Sequence, residues 1–244
     1  MNPDESFWQD DPVKAYDAVA ESFALLTAER RAYLDAIDRL VISNLPRGAK
    51  TLLDVGAGDA RRSNLIAQAG GCSDTVLVEP SAGMRRMGSP SHGYVDLRVE
   101  SLHRLEGQFD VILCLWNVLG HVFPAAARAA AMAQFRRLLS PRGRLFIDVN
   151  HRYNAARYGV FRTAGRFIHD VLRPSEKNGD VLAKWRLGGR EYGVRGHVFT
   201  AIEFEDLAAS AGLSVERRFV VDYETGAERD FAIQGNPLYV MKRD

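Results

Sequence analysis

Residues 51–63 read T-L-L-D-V-G-A-G-D-A-R-R-S, and this stretch decides the fold. An apolar run (Leu52, Leu53, Val55) ends in Gly56-Ala57-Gly58, followed by an acidic residue and then by helix-forming sequence. That order describes a short buried strand delivering the chain into a tight glycine turn from which a helix starts. Glycines admit positive φ and let a ligand come close to the backbone, and the first turn of a helix has unpaired N–H groups to offer. A nucleotide-type ligand is held in this way at the edge of a doubly wound sheet.

Three features separate the ligands such a turn could serve. A dinucleotide site asks for G-x-G-x-x-G, with a third glycine for close helix–strand packing, and here that position is Arg61. Asp59 follows Gly58 directly, which would set a carboxylate against any pyrophosphate, and Asp54 adds another just before the turn. Glu79 lies twenty-one residues past Gly58, at the end of the next apolar run, Thr75–Val78, where a carboxylate can accept from both hydroxyls of a ribose. A cofactor with a sulfonium, an ammonium and no phosphate meets no conflict here. Together the three features favour S-adenosylmethionine (SAM) over NAD, although the acid at Glu79 suits either.

Outward from this centre the alternation is regular. Strands are expected at 75–78, 95–99, 109–115 and 144–149, with helices over 60–69, 81–87, 125–139 and 201–211. Ser81 and Thr200 are placed as helix N-caps, Thr200 with Glu203 in a capping box. Two amphipathic helices, 13–25 and 29–44, precede the first strand, and the runs 181–187 and 191–199 around Gly188-Gly189-Arg190 read as a hairpin. Residues 213–223 and 237–242 supply the last strands. Residues 150–171 are basic and aromatic, with no element assigned. The expected organisation is a single domain, with a helical lid at 1–49, a cofactor core at 50–150, a substrate cap at 151–200 and a closing helix and strands at 201–244.

Composition sets bounds. The chain has 244 residues, 46% of them hydrophobic, enough for one large core. A net charge of +1 gives no general case for nucleic acid or anionic lipid. Cys72 and Cys114 fit neither a disulfide framework nor a metal pattern, so no metal is expected and a reducing cytoplasm is the default; Cys114 reads as a small core residue. No apolar run approaches the ~20 residues of a membrane span, and the acidic start, M-N-P-D-E-S, is not a signal peptide. A homo-oligomer stays open.

D-V-G-A-G-D and V-L-V-E-P-S resemble the first two motifs of the class I SAM-dependent methyltransferases. The resemblance implies a Rossmann-like α/β fold, a mostly parallel seven-stranded sheet with an antiparallel last strand, an N-terminal helical lid and a cap insertion after the fifth strand. It implies cofactor contacts at Asp54, Gly56, Ala57, Gly58, Glu79 and Pro80, with Met84 on the adenine, Glu100 and Ser101 near its amino group, and Leu115 at the end of the fourth core strand. Tyr16-Asp17-x-x-Ala20 looks like the family's Y-D-x-x-A pattern, whose tyrosine lies over the methionine end of SAM or the substrate; the other reading is that Tyr16 packs the helix on the domain. L-W-N-V-L-G-H at 115–121 and D-V-N-H-R-Y-N at 148–154 resemble the corresponding loops of glycine N-methyltransferases. Position by position this assigns Asn117, Arg152 and Tyr153 to the substrate and makes His121 the candidate base, Trp116 being bulkier than the family's residue and the chain past Tyr153 not matching. The alternatives are that His121 packs its helix, Asn117 satisfies its loop, Arg152 is solvated and Tyr153 packs the cap.

Methyl transfer from a sulfonium is an in-line displacement, so alignment supplies much of the rate, and a hydroxyl acceptor needs a base that a neutral amine does not. The expected activity is N- or O-methylation of a small molecule such as an amino acid, sugar or secondary metabolite. The alternative, RNA modification or RNA binding, draws on the basic stretch 136–173 but lacks an N-P-P-Y type signature.

Overall fold

The computed structural model describes residues 7–9, 11–88, 93–187 and 190–244. The chain opens with β1 (Phe7–Gln9), α1 (Pro12–Val19), α2 (Phe23–Glu29) and α3 (Arg31–Ser43). The single helix expected over 13–25 is thus broken by a 3-10 turn at Ala20–Ser22, while Val19, Ala20, Phe23 and Leu26 still pack in one cluster with Met84.

The alternating part follows with β2 (Thr51–Val55), α4 (Arg61–Gly70), β3 (Asp74–Val78), α5 (Ala82–Met87), β4 (Tyr94–Val95), β5 (Phe109–Cys114), α6 (Ala125–Leu138) and β6 (Leu139–Asp148). The strand expected at 95–99 is only the two residues that pair with Leu77 and Val78. Its apolar continuation, Val99, Leu102 and Leu105, recurs every third residue, which suits the 3-10 helix Val99–Arg104 that buries Leu102. The basic stretch forms α7 (Ala155–Tyr158) and α8 (Val160–Leu172). The chain ends with β7 (Asp180–Leu187), β8 (Arg190–His197), α9 (Ala201–Ser210), β9 (Leu213–Val221), β10 (Glu228–Arg229) and β11 (Asn236–Arg243). The expected hairpin is present as β7 and β8, its turn at Gly188 and Gly189 lying outside the described residues.

The main sheet runs β10-β9-β11-β6-β5-β2-β3-β4. Strands β2 to β6 are parallel, and β11 enters antiparallel between β6 and β9. The sheet therefore has eight strands instead of seven, because β10 adds two residues beside Val220 and Val221. A separate three-stranded sheet forms where β1 joins β8 in parallel. Helices cover both faces of the main sheet, as near-continuous apolar strands such as F-D-V-I-L-C require. Met132 and Phe135 of α6 and Phe204 of α9 fill one side; Tyr33, Ile37 and Val41 of α3 and Ile66 of α4 fill the other.

Candidate active site

Above the carboxyl ends of β2, β3 and β5 lies a cavity of about 570 Å³, roofed by residues of α1 and α2. A doubly wound sheet offers its crevice at this position. The glycine turn forms one wall. Gly56 has φ +80°, and a Cβ there would come 2.5 Å from the Val118 side chain; Gly58 has φ +57°, with Met84 and Phe23 beside it. Both positions need glycine for conformation, and Gly56 also for space.

Glu79 is buried at the end of β3 and accepts two backbone hydrogen bonds, from Gly58 N–H (2.9 Å) and Ser81 N–H (2.8 Å). Burial raises its carboxyl above the ordinary range against the pull of those two bonds. A carboxylate has roughly four lone-pair directions, so two remain for hydroxyl donors. Asp54, at the foot of the turn, accepts from the Ser63 hydroxyl at 2.5 Å, and burial pushes its carboxyl up to about 6. Asp59 pairs with Arg61, and Arg62 with Asp38, so both arginines near the turn are already matched by carboxylates. Carboxylates and paired arginines suit a cationic, phosphate-free cofactor such as SAM better than a pyrophosphate. Pro80, Met84, Glu100 and Leu115 also line the cavity; Ser101, next to Glu100 in the same 3-10 helix, does not.

The N-terminal helices are tied down over the cavity. Asp11 caps α1 and takes the Arg98 guanidinium in a bidentate grip at 2.9 and 2.7 Å. Asp17 accepts from the Ser81 hydroxyl (2.6 Å) and Gly83 N–H (2.7 Å). These ties bring Tyr16 over the cavity beside Phe23, Trp185 and His121.

His121 and Tyr16 meet there, with Tyr16 Oη 3.4 Å from His121 Nε2. His121 Nδ1 lies 3.0 Å from the Arg195 carbonyl oxygen. A carbonyl only accepts, so Nδ1 carries the proton and Nε2 presents its lone pair to the tyrosine hydroxyl. Burial lowers the histidine's pKa and raises the tyrosine's, which leaves a neutral imidazole facing a protonated phenol.

The other residues assigned to the substrate are elsewhere. Asn117 has φ +60° and is buried; its Oδ1 accepts from Asn150 N–H (2.9 Å) and its Nδ2 donates to the His197 carbonyl (3.4 Å). It fastens the loop after β5 to the loop after β6 and to β8. Arg152 is buried among Glu203 (2.5 Å), Asp170 (3.4 Å) and the Val198 carbonyl (3.2 Å), where it joins α8 and α9 to the cap. Tyr153 donates to Asp170 at 2.7 Å and packs against Phe167. None of the three lines the cavity. Their polar groups are consumed by partners in the cap, in the loop after β6 and on α9.

In their place the cavity wall includes Phe23, Trp116, Phe123 and Arg195. Trp116 holds φ +64°, an unusual conformation for a bulky residue, with its N–H donated to Asp148, which also accepts from Tyr33 Oη at 2.6 Å. Its only signal in the sequence was its size. Arg195 sits over the Phe123 ring at 4.2 Å, a contact across more than seventy residues that no local pattern announces. Among the described residues no three His, Cys, Asp or Glu side chains gather as metal ligands would, and no helix is long and apolar enough to cross a membrane.

A family model described as "Methyltransferase domain" matches residues 26–217. Glycine/sarcosine N-methyltransferase of Halorhodospira halochloris is 31% identical over 110 residues, covering 42% of this chain and 40% of that protein, so the match spans about two fifths of the relative's length. Among solved structures, the CcbJ methyltransferase of Streptomyces caelestis superimposes with a TM-score of 0.65 at 18% identity, over 86% of this chain and 94% of the other. A SAM-dependent methyltransferase of Clostridium acetobutylicum gives 0.65 at 12% identity, over 91% and 98%.

Proposed function

The chain belongs to the methyltransferase-domain family, with SAM as its cofactor, and from that premise we propose that it methylates an amine or hydroxyl of a small molecule held between Tyr16, Trp116 and His121. The observation that carries this reading is the roofed cavity: Asp11–Arg98 and Asp17–Ser81 pin α1 over it, which favours a small acceptor over a polymer strand. Bound SAM supplies an electrophilic methyl on a sulfonium. Glu79 would hold the ribose hydroxyls with the lone pairs its backbone donors leave, Gly56 and Gly58 would leave room for the cofactor at the turn, and Met84 would offer its adenine an apolar surface. The helices over 12–29 act as a lid that excludes water. His121 Nε2 takes the proton from a hydroxyl acceptor, or from the ammonium of a methylated amine. Tyr16 orients the imidazole.

The RNA reading loses part of its support, because several of the arginines it drew on have partners within the protein, while Arg162 and Arg173 remain exposed. Arg152 is in the Glu203–Asp170 network, Arg157 lies over Tyr223 at 4.0 Å, and Arg166 donates to the Arg152 carbonyl at 3.5 Å.

The test is a panel of small amines and phenols assayed by mass increase, with His121→Ala as the diagnostic variant. For a hydroxyl acceptor kcat should fall about 10²–10⁴-fold with SAM affinity intact, and for an amine by less. Because burial lowers the His121 pKa below 6.5, the free base should persist into mildly acidic buffer, and activity should fall only as pH drops below the usual histidine range. Salt-sensitive RNA binding with no small-molecule turnover would refute the reading.

A further inference from the structure

The contact that fixes the His121 ring comes from the exposed edge of a short strand. Among the described residues β1 pairs with β8 as far as Val194. Beyond it, alternate carbonyls on that edge turn to the loop after β5: Arg195 O reaches His121 Nδ1, and His197 O reaches Asn117 Nδ2. Gly196 lies between them, where an added Cβ would stand 3.7 Å from the His121 ring. A strand end in this position needs an anchor, since a shift of a few tenths of an ångström weakens a 3.0 Å hydrogen bond.

The anchor is the His197 side chain. It is fully buried, with Nδ1 at 2.9 Å from Asp180 and Nε2 at 2.7 Å from Glu203. Burial, the largest single influence, would raise both carboxyls, but His197 together with Arg195 at Asp180, and with Arg152 and the Thr200 N–H at Glu203, holds both below their usual range. Each ring nitrogen thus lies within hydrogen-bond reach of a carboxylate oxygen. The ring thereby ties the first residue of β7 to α9, and Glu203 is held in turn by Arg152 and by the Thr200 cap.

We propose that His197, clamped by Asp180 and Glu203, is a positioning residue that keeps the Arg195 carbonyl on His121 and so holds His121 in the Nδ1–H form with Nε2 as its free base. The consequence for catalysis rests on the reading of His121 given above; the tautomer itself does not. Because the clamp never touches the cavity, it acts only through the strand.

The experiment is 15N NMR of the imidazoles in the whole protein. The wild type should show His121 with a protonated Nδ1 and a bare Nε2; a protonated Nε2 overturns the proposal without any variant being made. In His197→Gln, which retains one amide donor, and in Asp180→Asn, the His121 signals should move toward a mixture of tautomers. kcat should then fall at least about tenfold with SAM affinity changed less than about threefold, the pattern of a histidine released from its tautomer. A folded His197→Gln protein with His121 still purely Nδ1–H overturns the proposal. Tautomer mixing with unchanged kcat supports the clamp and instead removes His121 from the chemistry, so the two readings fail separately.

Discussion

The two pairs of strand ends around the cavity use their residues in opposite ways. After β2 and β3 the residues face the ligand space, and backbone does much of the work: two glycines at positive φ, and one carboxylate bridging two N–H groups. After β5 and β6 most polar side chains turn away from the cavity and hold the cap together. Asn117, Arg152 and Tyr153 bind loops and helices, leaving His121 and the wedged Trp116 at the wall. A motif carries over well where the ligand is met by backbone, since any change there is a steric or conformational fault. It carries over poorly where a side chain can find a nearer partner in an insertion that the motif resemblance, ending at Tyr153, does not reach.

The sharpest way to break this contrast is Arg152→Ala. If Arg152 is an internal strut, its loss takes the guanidinium from Asp170 and Glu203, which keep only Tyr153 and His197 as their nearest partners, and stability should fall by an amount near the lower end of about 3–5 kcal/mol. Denaturant unfolding checks this, alongside a SAM titration expected to change little. A variant as stable as the wild type but with a large rise in the acceptor's KM would return Arg152 to the substrate and erase the distinction.

Glu79→Ala probes the other side with a smaller effect. SAM binding should weaken by about 1–3 kcal/mol, the scale of hydrogen bonds to a charged group. The Gly58 and Ser81 N–H groups lose their acceptor at the same time, so Glu79→Gln, which keeps the shape and one acceptor oxygen, should lie between the two. Equal calorimetric affinity for wild type and both variants would take Glu79 out of the cofactor site.

Much of the sheet was legible because its causes are local. T-L-L-D-V and F-D-V-I-L-C are buried on both faces, and Thr200 with Glu203 forms its capping box as the spacing requires. The family match and the fold neighbours agree with the cofactor the turn implied. What was not legible depends on long-range partners. The 3-10 break at Ala20–Ser22 leaves no mark in the helical spacing of the apolar residues around it, and the wall residues Phe123 and Arg195 meet only when β8 folds over the loop after β5. α8 shows the same limit in reverse: Phe161, Ile168 and Leu172 point to solvent while Asp170 and Arg166 dock inward, the opposite of what its apolar pattern leads one to expect.

Tyr16 lies on the boundary between the two regions, and Tyr16→Phe is the finest test of the contrast. The ring packs edge-on to His121 and against Phe23 and Trp185, so the variant retains the apolar contacts that hold α1 over the cavity. Only the hydroxyl is removed, and its bond to His121 Nε2 is long at 3.4 Å. A bond of that length is weaker than the about 0.5–1.5 kcal/mol of a typical one, so the melting temperature should barely move. Burial holds the phenol protonated, so Tyr16 is no base, and its loss should not shift the pH at which activity declines. The expected result is a kcat reduced by less than about tenfold with the SAM affinity and the pH profile both preserved. A loss as large as that of His121→Ala would make the tyrosine hydroxyl part of the chemistry, and the division between a backbone-built cofactor side and a side-chain-built acceptor side would have to be redrawn around α1.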